Sequence, residues 1–289
     1  MTDIRNILIV GFGDIGSRVA KHYTEQGQVV TAVCRKAPTQ ANTRHLAVDL
    51  DDPQSGLQAA LAQGASTDVF WFAPPQKAGV IDKRIQTFCN HLRTGQIRRF
   101  VYISTTAVYG DCEGRWIDED EPLKPGTDRG KRRQDAEQRL QIAAKEHNFE
   151  LAILRVPGIY GPGRWPLARL KKGLPVLKEE ESPYTNRIHQ DDLANICIAA
   201  MNKALVKAGE WRAYNCSDGQ PSTMTDYFNR IADAFDVPRP PQLARAEAER
   251  QLTAGMLSFM NESKRLNSNR VWSELQINPN YSSLAEALS

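Results

Sequence analysis

The residues best placed to do chemistry begin at position 11. GFGDIG, Gly11 to Gly16, follows the apolar run NILIV (6–10) and opens a stretch in which Ile15, Val19 and Tyr23 are spaced by four. A glycine-rich turn between a buried strand and a helix start is suited to a pyrophosphate. Gly11 permits the tight turn, Gly13 lets backbone amides approach the anion, and Gly16 lets helix and strand pack closely. Phe12, Asp14 and Ile15 complete the turn, and the helix N-terminus faces the anion. The pattern points to a bound dinucleotide. NAD sites place an acidic residue about 20 positions later, on the ribose 2′-hydroxyl. Here the chain reads Cys34-Arg35-Lys36. Two cations suit a 2′-phosphate, so NADP is expected ahead of NAD; the alternative is that both decorate a surface loop. Asp49-Leu50 either contacts the adenine end or makes a strand-end turn.

A second group of chemically capable residues is RGKRRQDAE, Arg129 to Glu137, which sets Arg129, Lys131, Arg132 and Arg133 within five residues. The apolar positions Ala136, Leu140, Ala143 and Ala144 make this a helix start, where the macrodipole favours negative charge rather than positive. Arg129 and Arg133 are i and i+4 and share a face. Guanidinium groups so placed suit bidentate contacts to phosphate or carboxylate. They cannot serve as general acid or base, because arginine stays protonated. Further on, RIHQDDLA (187–194) holds Arg187 and His189, which share a face if the segment is extended, so Arg187 is a further anion-binding candidate. His189 reads either as a proton carrier or as a structural partner at a strand–helix junction. Asp191 and Asp192 read as the cap and first turn of the next helix.

These residues need elements to position them. NILIV (6–10), VVTAV (29–33), HLAV (45–48), DVFWF (68–72), RFVYI (99–103) and LAILR (151–155) read as strands, several apolar throughout, as in a sheet buried on both faces. Helical stretches lie at roughly 55–63, 79–94 and 129–147. Strands alternating with helices imply an α/β, doubly wound parallel sheet of Rossmann type. VPGIYGPGRWP (156–166) is a Gly/Pro-rich loop. A short helix (167–172), a helix from Asp191 to about Lys203, a strand RAYNC (212–216) and a helix capped by Ser222 and running through Phe235 follow. The tail from about Val237 is mixed and loop-rich. Residues 1–160, joined by 186–204, are assigned to the dinucleotide-binding domain, and 161–289 mainly to a small C-terminal lobe. Tyr160 and Arg164 stand where a late strand stops, and ligands bind outside the carboxyl ends of such strands.

The bulk properties exclude several classes. A net charge of +3 over 289 residues is too mild for a nucleic-acid partner. No segment approaches the roughly 20 apolar residues of a membrane span. The five cysteines are scattered, odd in number and without a CxxC pair, which suggests a reduced, cytoplasmic protein with no metal site and no disulfide framework. The expected partner is a small-molecule substrate or ligand, and a homodimer is compatible with this class.

The chain resembles the extended short-chain dehydrogenases/reductases, the NAD-dependent epimerase/dehydratase group. The resemblance rests on GFGDIG, Asp49-Leu50, FVYISTTAVYG (100–110), LRVPGIYGPGR (154–164), RIHQDDLA and YNCSDG (214–219). It implies a Rossmann domain with a small substrate lobe, and it adds Ala73, Pro74 and Pro157 to the cofactor site. Catalysts of that family use a Ser or Thr in the first YG motif, here Thr105, and a Tyr and Lys in YxxxK. RGKRRQDAE matches the latter helix with Arg129 for Tyr, Arg132 for Ser and Arg133 for Lys, the last at the nicotinamide ribose. The chain is thus similar to an atypical member without the standard catalytic pair. Tyr109, Tyr160 and His189 are the candidates for a surrogate proton carrier. Arg129, Arg133, Arg164 and Arg187 are assigned to substrate or anion binding. The implied activity is an NAD(P)-dependent reductase or epimerase on a small or sugar-like anion, the alternative a non-catalytic NADP-sensing protein.

Overall fold

The computed structural model describes residues 4–35, 42–52, 57, 61, 66–251, 257 and 260–289. The apolar runs become one seven-stranded sheet. Its order from one edge is Trp211–Asn215, Glu150–Val156, Ile97–Thr105, Thr67–Trp71, Asn6–Val10, Val29–Cys34 and Thr43–Ala47. Every neighbouring pair is parallel. Helices cover both faces, which is why a central strand such as Ile7 to Val10 is apolar at every position and no more than 1% exposed. On one face Val19 and Tyr23 of helix Asp14–Glu25 meet Ile196, Cys197 and Ala200 of helix Gln190–Asn202. On the other, Ile85 and Phe88 of helix Lys83–Asn90 share a core with Leu140 and Ala144 of helix Asp128–His147. Strand order reverses at Asn6–Val10, so the turn at Gly11 opens at the switch point where such sheets take ligands.

Several boundaries differ from the sequence reading, each for a local reason. The helix expected over 79–94 is Lys83–Asn90, because Asp82 caps it, accepting from the backbone N–H of Arg84 and Ile85, each at 3.1 Å. Residues 55–63 fall largely outside the described residues; Leu57 and Leu61 are helical and buried. His189, not Asp191, caps the helix Gln190–Asn202 through its Nδ1. Thr223, not Ser222, caps Met224–Ala234. The strand Trp211–Asn215 lies within the 161–289 stretch yet forms an edge of the main sheet, paired with Glu150–Val156. The Gly/Pro-rich loop contains a short strand, Gly158–Tyr160, parallel to Arg187–His189. In the tail, Arg265–Leu266 pairs with Trp116–Ile117.

A buried polar network ties the carboxyl ends of three strands to the long helix. Arg155, 3% exposed, forms a bidentate pair with Glu137, with Nη2 to Oε2 at 2.9 Å. Ser104 donates to the same carboxylate. Arg155 also donates to Tyr109 Oη and to the Glu119 carbonyl, each at 2.9 Å. Tyr109 Oη donates to Asn215 Oδ1 at 2.7 Å. A second cluster roots the segment after residue 157. Tyr160 donates to Asp218 at 3.2 Å, and His189 stacks on Tyr281 with centroids 3.8 Å apart. Asp192 accepts from the backbone N–H of Asn280 and Tyr281, fastening the C-terminal segment. Burial pushes the Asp218 carboxyl up to about 7, and burial pulls the His189 imidazole below its usual value.

Two outcomes follow. Arg155→Met leaves Glu137 buried and unpaired, so urea denaturation should show a loss of about 3–5 kcal/mol, most of it regained when Glu137→Leu is added. Asp218 is raised on folding, so its stabilising protonation is complete below the unfolded carboxylate pKa and is lost as pH rises through about 7. Asp218→Asn should therefore gain stability relative to the wild type between about pH 4 and pH 7, while His189 contributes the opposite trend in both proteins, lowering stability as pH falls below about 6.5. A pH series of denaturation midpoints reads both.

Candidate functional site

The glycine turn is fixed by close approach. Gly11 has φ +97°, and a Cβ there would stand 2.4 Å from the Ala73 nitrogen. A Cβ on Gly16 would stand 2.8 Å from the Gly11 carbonyl oxygen. Gly13 differs: chain neighbours aside, no atom of the described residues lies within 4 Å of its Cβ position, so a group from outside can approach the backbone there. Gly13 caps helix Asp14–Glu25 without a side-chain hydrogen bond. The residues therefore fit the pyrophosphate of a dinucleotide. Asp14 is bracketed by Arg18 Nε on one oxygen and Arg164 Nε on the other, each at 2.9 Å. Burial raises its pKa, but these two guanidinium groups outweigh it and hold the carboxyl below the usual range. Arg18 reaches on to Asp191.

Toward the expected adenine end, Arg35 is exposed at the end of Val29–Cys34, and Lys36 lies outside the described residues. Asp49 accepts from the Asp51 N–H at 3.0 Å, a strand-end turn, and Leu50 packs on the core. Phe12 meets His45 edge-on at 5.2 Å. Ala73 is buried, its N–H donating to the Val10 carbonyl. The Pro74 carbonyl accepts from Arg84, which also grips Asp51 with two bonds of 2.7 Å.

Beyond the strand end at Thr105 lies a cavity of about 640 Å³. Of the expected residues, Thr105, Arg129, Pro157 and Arg187 line it. Thr105 caps the short turn Thr106–Val108, its Oγ1 accepting from the Ala107 N–H at 3.4 Å. The other wall carries Arg169, Tyr184, Tyr227, Phe228, Glu262 and Lys264, none of them singled out in the sequence. Four cations thus face one carboxylate, and Lys264 already pairs with that carboxylate at 2.9 Å. Burial lowers the pKa of Arg129, Arg169 and Arg187, with Arg133 adding to the effect on Arg129. Arg187 Cζ stands over the Tyr227 ring, 4.1 Å from its centre, and the guanidinium donates to the Asn186 carbonyl at 2.8 Å. Glycine at 158 makes room for it: a Cβ there would be 3.0 Å from Arg187 Cδ. Such a cavity can hold an anion with an apolar portion against the aromatic wall. A separate cleft of about 670 Å³ beside Trp211 and Arg212 lies away from both Thr105 and the glycine turn.

The other predicted residues turn elsewhere. Arg133 does not join Arg129 in the cavity; its Nη1 donates to Tyr102 Oη at 2.9 Å and to the Ile103 carbonyl at 3.0 Å. Arg132 is buried and donates to the Gly79 carbonyl. Tyr109, Tyr160 and His189 are each no more than 1% exposed and hydrogen-bond inward, to Asn215, to Asp218 and to the Asp191 N–H. Burial raises the pKa of both phenols, which suits packing rather than proton exchange with the cavity. Arg164 sits over the glycine turn rather than in the cavity.

The family model described as the NAD dependent epimerase/dehydratase family matches residues 7–217. An uncharacterised protein of Sinorhizobium fredii, y4nG, is 31% identical over 142 residues, which is 47% of this chain and 34% of that protein's length. A solved conserved protein of unknown function from Silicibacter pomeroyi is 28% identical, with a TM-score of 0.80 over 98% of this chain and 96% of that one. MoeE5, solved with UDP-glucose and NAD, is 18% identical and shares the fold, with a TM-score of 0.77 over 98% of this chain and 96% of its own. With the parallel sheet, the glycine turn at its switch point and this match over most of its length, the chain belongs to the NAD-dependent epimerase/dehydratase family.

Proposed function

We propose that the chain binds a nicotinamide dinucleotide, NADP ahead of NAD, and works as a reductase or epimerase on a small or sugar-like anion held in the cavity beside Thr105. The observation that carries this reading is the set Arg129, Arg169, Arg187 and Lys264 on the cavity wall, next to the strand end that bears Thr105. MoeE5, a protein of the same fold, binds UDP-glucose and NAD, which is consistent with it. When bound, the cofactor supplies hydride chemistry. The chain's own residues bind, orient and exclude water: the Thr105 hydroxyl holds the substrate oxygen and the guanidinium groups hold its anionic part. Residues 1–160 with 186–204 form the cofactor-binding part in this reading, and 161–289 mainly the substrate lobe. Five free thiols and no helix, among the described residues, long and apolar enough to cross a membrane suit a cytoplasmic protein. A homodimer is allowed by this reading and is not required by it.

One observation favours the second reading, a dinucleotide sensor without turnover. Where the resemblance implies a catalytic Tyr and Lys the chain carries Arg129 and Arg133, and Tyr109, Tyr160 and His189 all turn inward. The two readings separate by assay: NADPH oxidation against aldehydes, ketones and nucleotide sugars, with wild type and Thr105→Val side by side. Turnover lost in Thr105→Val supports the enzyme; silence across the panel with intact cofactor binding supports the sensor.

The cofactor preference is checked by fluorescence titration. NADPH should bind more tightly than NADH, and Arg35→Ala should weaken NADPH by about tenfold, the effect of roughly 1.4 kcal/mol, while leaving NADH unchanged. The anion site is checked by thermal shift. Inorganic phosphate should raise the melting temperature of the wild type, and Arg187→Ala should lose most of that rise.

A further inference from the structure

We propose that Arg164 is a ligand of the dinucleotide pyrophosphate, brought to the glycine turn by the loop after strand Gly158–Tyr160 and aimed by Asp14. The proposal rests on the cofactor reading above. The sequence puts Arg164 beside Tyr160 at a late strand end. The structure carries it to the first turn of helix Asp14–Glu25, with Nε on Asp14 Oδ2 at 2.9 Å. Only that nitrogen is engaged: Arg164 Nη1 and Nη2 donate to no group among the described residues. Next to Asp14 is Gly13, whose Cβ position, chain neighbours aside, has no atom of the described residues within 4 Å. A pyrophosphate on the backbone amides there would lie against the two unused guanidinium donors.

The arm is built rather than loose. Gly161 has φ +135°, and a Cβ would stand 2.8 Å from His189 Nε2, so the loop enters flat against the buried cap of the next helix. Gln190 Nε2 donates to the Pro162 carbonyl at 3.2 Å, and the Arg164 N–H donates to the Gly161 carbonyl at 2.9 Å. The root is locked to the interior while the Arg164 side chain stays 33% exposed beside Asp14. A partly exposed ion pair alone is worth little. Its value lies in aim: Asp14 holds Nε and fixes the plane of the fork, and a rigid fork matches phosphate oxygens. Arg18 and Arg164 are balanced by Asp14 and Asp191, so the arm already sits in a neutral cluster and need not leave it to meet the ligand.

Calorimetric titration of wild type, Arg164→Ala and Arg164→Lys with NADPH, and with adenosine 2′-phosphate, which has no pyrophosphate, tests this. The expected result is a loss of about 10- to 100-fold in NADPH affinity for Arg164→Ala, in line with charge-assisted hydrogen bonds. Arg164→Lys should recover part of it, and adenosine 2′-phosphate should bind wild type and variants alike. NADPH binding to Arg164→Ala that equals or exceeds wild type would overturn the proposal and leave the cofactor reading standing; tighter binding would mark the arm as an obstruction. An equal loss for adenosine 2′-phosphate would also overturn it, because the effect would not be at the pyrophosphate. A wild type that binds neither NADPH nor NADH would remove the cofactor reading and this proposal together.

Discussion

The ion pair between Arg155 and Glu137 is the constraint on which the site geometry depends. Both groups are almost wholly removed from water, 3% and 0% exposed. Desolvating two charges costs several kcal/mol per ion, and the cost is met only if geometry and added hydrogen bonds are good. Here they are. Ser104 and Arg155 satisfy the carboxylate, and Tyr109 and the Glu119 carbonyl take the other guanidinium donors. Ser104 immediately precedes Thr105, so the pair sets where the strand Ile97–Thr105 stops and where its hydroxyl looks. Glu119 extends the network by accepting from the Asn215 N–H at 2.8 Å and pairing with Arg270. The edge strand and the tail are thereby tied to the same point.

Against that frame the cations divide into two kinds. Arg132, Arg133 and Arg155 turn into the fold, to carbonyls, phenols and a carboxylate. Arg129, Arg169 and Arg187 line the cavity, Arg169 and Arg187 each also donating to a carbonyl of the fold, and burial lowers the pKa of all three. Arg169 and Arg187 rest on neighbouring aromatic faces, Phe228 and Tyr227, at 5.2 and 4.1 Å. Stacking on a ring compensates part of the lost hydration while leaving the edge of the guanidinium able to pair. A wall so built suits an anion.

How much of this was legible in the residues depends on whether the signal is local. The strands were legible because burial on both faces makes them apolar throughout, and the glycine turn because its spacing and flanks are short-range. Thr105, Pro157 and Arg187 all line the cavity, and each lies in a motif that marks a strand end. The i, i+4 rule put Arg129 and Arg133 on one face, but it could not foresee that Tyr102 and the Ile103 carbonyl would draw Arg133 to the strand end. Caps moved by one or two positions because several side chains compete to cap the same turn, as with Ser222 and Thr223. Lys264 was invisible because the tail has no period to read and only long-range pairing, Trp116–Ile117 with Arg265–Leu266, brings it to the cavity. Arg169, Tyr227 and Phe228 lie in helices the sequence marks, but nothing local tells which of their faces meets the cavity.

That tail has a consequence for how the molecule comes into being. Chains fold from the N-terminus as they are made. The glycine turn and five of the seven parallel strands lie before residue 106, while Glu262 and Lys264 close the cavity near the other end of the sequence, and Asp192 waits for Asn280 and Tyr281. A growing chain therefore owns its turn and much of its sheet well before it has a cavity. The cavity closes only after residue 264 has been made, later than the turn and most of the sheet.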